Sequence, residues 1–224
     1  MTPHPPSHVG ARSFRPRRRG LAPARAEAYE RDAPHWLIAG DGPPLDLAAV
    51  FPGCDGVVLD IGFGGGEGLI EMAAADTGTA ILGVEIHTPG VAKVVEAIMA
   101  NGWQHVRLCT ADVLDLLPRL GPVSLTGVRI WFPDPWLKQR QRHRRLVRPD
   151  VVSLLVDRLR PGGFLHVATD IAEYAAQAER VLAADGRLQG GRIPRPEWRP
   201  LTRFEARGLA VGRTATDLWF ERTR

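Results

Sequence analysis

Val57-Val58-Leu59-Asp60-Ile61-Gly62-Phe63-Gly64-Gly65-Gly66 is the stretch whose reading decides the fold. A short apolar run enters a glycine-rich turn and then a helical pattern, the signature of a buried strand joined tightly to a helix. Glycine carries no Cβ, so Gly62, Gly64 and Gly66 can take dihedrals closed to other residues and leave room for a nucleotide at the strand's carboxyl end. The dinucleotide pattern G-x-G-x-x-G would require glycine at position 67, where the chain has Glu67. A carboxylate in the first helical turn repels phosphate. A ligand without phosphates and with a positive centre, such as S-adenosylmethionine, suits this loop better. Taken alone, a turn of this kind serves about as often as a plain tight connection.

Outward from that stretch, strand-like and helical runs alternate. Strands are expected near 57–61, 80–85, 106–110, 127–132 and 164–169, and helices near 65–75, 89–101, 112–117, 150–159 and 171–184. Alternation of this kind predicts an α/β fold, a mostly parallel Rossmann-like sheet with helices on both faces. A last hydrophobic run, 216–221, fits an antiparallel C-terminal strand added at the sheet edge. The 224 residues, 44% hydrophobic and 24% charged, suit one globular domain. No apolar run approaches the ~18 residues of a membrane span, and no secretory signal is visible, so no membrane partner and a cytoplasmic location are expected. Cys54 and Cys109 read as reduced structural thiols, and no metal site is implied.

The formal charge of +4 is unevenly placed. Residues 1–26 hold Arg12, Arg15, Arg17, Arg18, Arg19 and Arg25 with no acid, so removing these six leaves the remainder at −2. This division predicts a basic, flexible leader over 1–26 ahead of a globular domain over 27–224. The leader reads as a solvated tail or as an arm that neutralises phosphates. Its prolines oppose the amphipathic helix of a transit peptide.

In open α/β sheets ligands lie beyond the carboxyl ends of the strands, and five acids fall there: Asp60, Glu85, Asp112, Asp134 and Asp170. Glu85 stands at the spacing from the glycine loop where a carboxylate accepts a ribose diol, with a loop carboxylate as the plainer reading. Asp112 also reads as an ordinary helix start. The segment Ile130-Trp131-Phe132-Pro133-Asp134-Pro135-Trp136-Leu137-Lys138 holds an acid between two prolines, each of which fixes its own φ and drives the preceding residue out of the helical region. Asp134 is therefore rigidly aimed, and its aromatic neighbours could stack on a base; the plainer alternative is a proline-rich exit from a strand with buried tryptophans. The tract from Lys138 to Arg148 follows with no acid; it is either a solvated face or a surface that holds a polyanion, nucleic acid above all, against the rim. Arg199 to Glu205 offers a hydroxyl, a guanidinium, a ring and a carboxylate in one loop.

These segments, together with Arg12-Ser13-Phe14, Gly83-Val84-Glu85-Ile86-His87, Ala168-Thr169-Asp170, Thr202-Arg203-Phe204-Glu205 and Asp217-Leu218-Trp219-Phe220-Glu221-Arg222, resemble the bacterial tRNA (guanine-N7-)-methyltransferases over nearly the whole chain. The resemblance implies a class I methyltransferase sheet, S-adenosylmethionine as methyl donor without a metal, and tRNA as partner, methylated at a variable-loop guanosine. It implies cofactor binding by Asp60, Gly62, Gly64, Glu85 and Asp112, with Asp134 in the active site. Substrate contacts are implied at Lys138, Asp170, Thr202, Arg203, Phe204 and Glu205, and RNA contacts at Arg140, Arg142, Arg144 and Arg145. The chain departs from the family wording at Asp60, where glutamate is common, and at Arg203, where a planar fork replaces an ammonium. It also departs in the order of Gln141, Arg142 and His143. Rival readings are a methyltransferase on another RNA or a small molecule, and a non-catalytic RNA-binding protein on the same fold. Monomer and homodimer fit the sequence equally.

Overall fold

In the computed structural model, residues 20–223 are described. The deciding stretch becomes strand β1, Gly56–Ile61, buried after its first residue. Helices α1 (Pro23–Asp32) and α2 (Leu47–Val50) precede it. After it come α3 (Glu67–Ala75), β2 (Thr79–Val84), α4 (Thr88–Asn101), β3 (Val106–Cys109), α5 (Val113–Leu116), β4 (Leu125–Trp131), α6 (Pro149–Arg158), β5 (Leu159–Thr169), α7 (Ala172–Ala183), β6 (Leu188–Ile193), α8 (Arg203–Leu209) and β7 (Thr216–Arg222). The seven strands lie in the order β3-β2-β1-β4-β5-β7-β6. From β3 to β5 every pairing is parallel, which requires the helical crossovers the sequence alternation foretold. Strand β7 is antiparallel to both β5 and β6.

Successive strand residues point to opposite faces, and the core splits accordingly. Val57, Leu59 and Ile61 pack with Leu116, Val152, Leu155, Tyr174 and Ala178 of α5, α6 and α7. Ile81, Val106 and Leu108 pack on the other side with Leu69 and Ala73 of α3 and Val91, Val94, Val95 and Ile98 of α4. Both faces are thus helix-covered, as expected.

Three features differ from the sequence reading. The C-terminal run is antiparallel as expected, but β6 lies outside it, so the antiparallel margin is two strands wide. Gly190 and Gly191 hid β6, because glycine weakens the strand pattern; a Cβ at Gly190 would lie 2.0 Å from the Trp219 carbonyl oxygen. Helix α8 stands where the sequence suggests a loop; Thr202 and Glu205 have the spacing of a capping box, and the Thr202 hydroxyl accepts the Glu205 N–H at 3.1 Å. Finally, α1 begins at Pro23, where proline is tolerated in a first turn, so residues 23–26 belong to this helix rather than to the leader. Arg25 pairs there with Glu96 of α4. Residues 1–19, with Arg12-Ser13-Phe14 and the remaining leader arginines, lie outside the described residues.

Candidate active site

Strand order reverses beside β1, whose neighbours are β2 and β4, and this is where an open α/β sheet forms its ligand crevice. The turn after β1 is held in a form that suits glycine: Gly62, Gly64 and Gly66 have φ of 76°, 60° and 85°. A Cβ on Gly62 would point into open space, so bare backbone faces the crevice there. Glu67, in the first turn of α3, is paired with Lys93 at 2.9 Å and lies 3.6 Å from Arg203.

Glu85 sits one residue beyond β2 and binds this turn. Its Oε2 accepts the Gly64 N–H at 2.7 Å, while its Oε1 accepts those of Ile86 and His87 at 2.7 and 2.8 Å. The loop-carboxylate role is therefore realised, and Oε2 keeps lone-pair capacity for a hydroxyl such as a ribose diol. Asp60 is different. It is buried on β1, and its Oδ2 has no hydrogen-bond partner. Burial pushes its carboxyl up to about 6, against the pull of Arg129 and with a smaller push from Glu85. An orphaned carboxylate oxygen at the foot of a bare glycine turn fits a ligand bearing an ammonium group, and a diol-accepting Glu85 fits its ribose. On these two observations the donor set suits S-adenosylmethionine. Asp112 caps α5, accepting the Leu114 N–H at 3.1 Å, and the plain helix-start reading holds for it as well.

Beyond β4, residues Phe132 to Trp136 form a strained loop. Phe132 and Trp136, both bulky, have φ of 54° and 42°, a conformation that persists only where its surroundings enforce it. Between them Asp134 is half-buried, flanked by the two prolines. The Phe132 N–H donates to Ala168 of β5 at 2.7 Å, and Arg144 lies over the Trp136 ring at 4.1 Å. Lys138 and Arg140 are exposed, and residues 139–144 form a short 3-10 helix. Arg142 is partly exposed and 3.3 Å from Glu173. Arg145, expected in the RNA-facing tract, instead has a side chain that is 0% exposed. Its guanidinium is turned inward onto Pro135, Glu173 and Gln177, and none of its surface is left for RNA.

Helix α8 closes the remaining side. A Cβ on Gly64 would lie 3.5 Å from the Phe204 ring, so this half-exposed aromatic leans over the glycine turn. Asp170, one residue past β5, pairs with Arg213 at 3.0 Å and lies against Gly208 of α8. Thr202 is engaged as the α8 cap, and Arg203 is largely exposed. Glu205, expected at the substrate, is almost fully buried: Arg199 holds both of its oxygens at 2.7 Å, and Arg195 donates to Oε1 at 2.9 Å.

Sequence reasoning did not reach this buried network. Arg199 also binds Asp217 of β7, Asp217 meets His166 Nε2 at 2.8 Å, and His166 Nδ1 receives the Trp131 indole N–H at 3.1 Å. An acceptor at Nδ1 makes His166 the Nε2–H tautomer, and burial pushes its pKa down despite Asp217, which keeps the ring neutral. The one signal was a histidine inside the otherwise apolar run 164–168.

Among the described residues no group of three or more His, Cys, Asp and Glu side chains could hold a metal ion, and no helix is long and apolar enough to cross a membrane.

Comparisons with known proteins agree with this geometry. The family model Methyltransf_4, described as "Putative methyltransferase", matches residues 55–218. A tRNA (guanine-N(7)-)-methyltransferase of Streptomyces avermitilis is 43% identical over 219 residues, covering 95% of this chain and 76% of the relative. One from Thiobacillus denitrificans is 40% identical over 215 residues, covering 94% and 95%. Among solved structures, the 16S rRNA methyltransferase KamB superposes with a TM-score of 0.60 at 16% identity, covering 82% of this chain and 96% of that one, a likeness of fold alone. By the breadth of these matches, the chain belongs to the tRNA (guanine-N7-)-methyltransferase family.

Proposed function

We propose that this chain transfers the methyl group of S-adenosylmethionine to N7 of a guanosine in the variable loop of tRNA. One juxtaposition carries the reading: the rigid Asp134 loop leaves β4 directly beside β1, whose glycine turn and orphaned Asp60 carboxylate suit the donor. When bound, S-adenosylmethionine supplies an electrophilic methyl group on a sulfonium centre. Asp60 would take its ammonium, Glu85 its ribose hydroxyls, and the bare backbone of Gly62 and Gly64 its approach, with Asp112 at the adenine side.

Guanine N7 has a lone pair and no proton, so its attack needs no general base, and alignment supplies most of the rate. The methylated ring becomes positive. In this reading Asp134 and Asp170 stabilise that charge as it develops and accept the ring N1–H and the exocyclic amine. Phe204, half-exposed beside the glycine turn, offers a stacking face for an unpaired base. Lys138, Arg140, Arg142 and Arg144 supply positive charge for the RNA backbone, and Thr202 with Arg203 stands at the start of α8 on the same rim.

Calorimetry with S-adenosylmethionine, run beside methyl transfer to bulk tRNA, tests this division of labour. Asp134→Ala is expected to abolish transfer while changing donor affinity by no more than about threefold. Glu85→Ala is expected to weaken donor binding by at least about tenfold, because three backbone N–H groups lose their acceptor. Loss of donor binding in Asp134→Ala would overturn the assignment, and methyl incorporation into ribosomal RNA rather than tRNA would overturn the substrate.

A further inference from the structure

The basic tract contains one member that does something other than meet RNA. Arg145 is the only one of its expected RNA contacts with no exposed side-chain surface. Its Nε–H donates to the Pro135 carbonyl at 2.8 Å, immediately after Asp134. Its two terminal nitrogens meet both oxygens of Glu173 at 3.1 and 2.5 Å, a bidentate grip, and it also binds the Gln177 carboxamide. Glu173 and Gln177 are one turn apart on α7, so both face the same guanidinium. The Tyr174 ring lies 4.7 Å from it.

We propose that Arg145 is a positioning residue that holds Asp134 in its reacting orientation by clamping the strained loop to α7. The proposal rests on the functional reading above. The prolines at 133 and 135 fix their own φ, so the loop's remaining freedom lies in the torsions of Phe132, Asp134 and Trp136 and in the peptide planes between them. Two of these three residues sit at positive φ, from which a bulky side chain relaxes unless something prevents it. A bond to the Pro135 carbonyl fixes the peptide plane between Asp134's neighbour and Trp136. Helix α7 follows β5 directly, with Asp170 at the junction, so the same clamp ties the supports of both base-facing carboxylates together. Arginine is required because only its planar fork can grip Glu173 with two nitrogens and still donate Nε–H to a carbonyl.

The test compares Arg145→Lys, Glu173→Gln and Arg140→Ala in the full-length protein. Wild-type transfer to tRNA is measured first, and its absence would sink the functional reading rather than this one. For Arg145→Lys we expect kcat to fall about 30-fold or more. KM for tRNA and for S-adenosylmethionine should stay within about threefold, and the salt dependence of tRNA binding should be unchanged. Glu173→Gln, at a half-exposed site that tolerates the change, should lower kcat in the same direction, and the double variant should be no worse than Arg145→Lys alone. Amide exchange in the peptide 132–138, read without RNA or donor, should rise in both. Arg140→Ala should instead raise KM for tRNA and reduce the salt slope by about one. A reduced salt slope with retained kcat in Arg145→Lys would make it an RNA contact, and wild-type exchange and kcat in Glu173→Gln would remove the clamp.

Discussion

Asp60 and Glu85 put the same functional group to opposite uses. Glu85 is saturated on one oxygen and partly engaged on the other by backbone N–H groups, whereas Asp60 is buried with an oxygen that meets nothing. The sign of the pH effect at Asp60 follows from burial. Its folded carboxyl lies near 6, above the ordinary 3.8, so the contribution of the protonated form to stability is complete below 3.8 and lost as pH rises through about 6. A ligand ammonium favours the ionised form and draws the group back down. Affinity for S-adenosylmethionine should therefore climb as pH rises through about 6, with a proton released on binding below that point. Calorimetry in two buffers of different ionisation enthalpy checks this, and a flat profile without proton release would remove Asp60 from the ammonium site. At this scale the sequence was legible for residues that strand ends deliver to the rim. It was not legible for Arg145 and Glu205. Spacing along the chain says nothing about whether a long charged side chain turns toward solvent or toward an internal partner.

Helix α8 and the margin of the sheet are joined by ion pairs rather than by an apolar seam. Arg199, fully buried, compensates Glu205 and Asp217, with Arg195 assisting and His166 neutral. Its guanidinium also lies 5.5 Å from the ring of Phe132, at the start of the Asp134 loop. Removing one partner of a buried pair leaves the others charged in a poorly hydrated site. Arg199→Ala should accordingly lower unfolding free energy by about 3–5 kcal/mol, read by urea titration. A loss under about 1 kcal/mol would mean that water replaces the guanidinium. The β/α alternation from β1 to α7 was readable because each element buries a continuous apolar face with its own period. Strand β6 and helix α8 were not, since one is interrupted by two glycines and the other is seven residues long and anchored by charge.

Across the whole molecule, positive charge borders the rim at two places: Lys138, Arg140, Arg142 and Arg144 follow the Asp134 loop, and Arg203 stands 3.6 Å from Glu67 in the first turn after the glycine loop. Neutralising phosphates releases counterions, so tRNA affinity should fall linearly on logarithmic axes as salt rises. Replacing Arg140 and Arg142 together by Ala should flatten that slope by roughly two. An unchanged slope in filter binding would place the RNA elsewhere. The charge tract and the acid rim could be found in the sequence because each is a matter of residue type and position along the chain. How far apart they stand is set by the crossovers, and only the folded chain shows it.

The central claim is that a guanine N7, and no other atom, receives the methyl group beside Asp134. Its most direct test uses two tRNA transcripts, one with guanine and one with 7-deazaguanine at the same variable-loop position, each incubated with methyl-labelled S-adenosylmethionine. Label in the first transcript and none in the second is the predicted result. Equal labelling of both would contradict it.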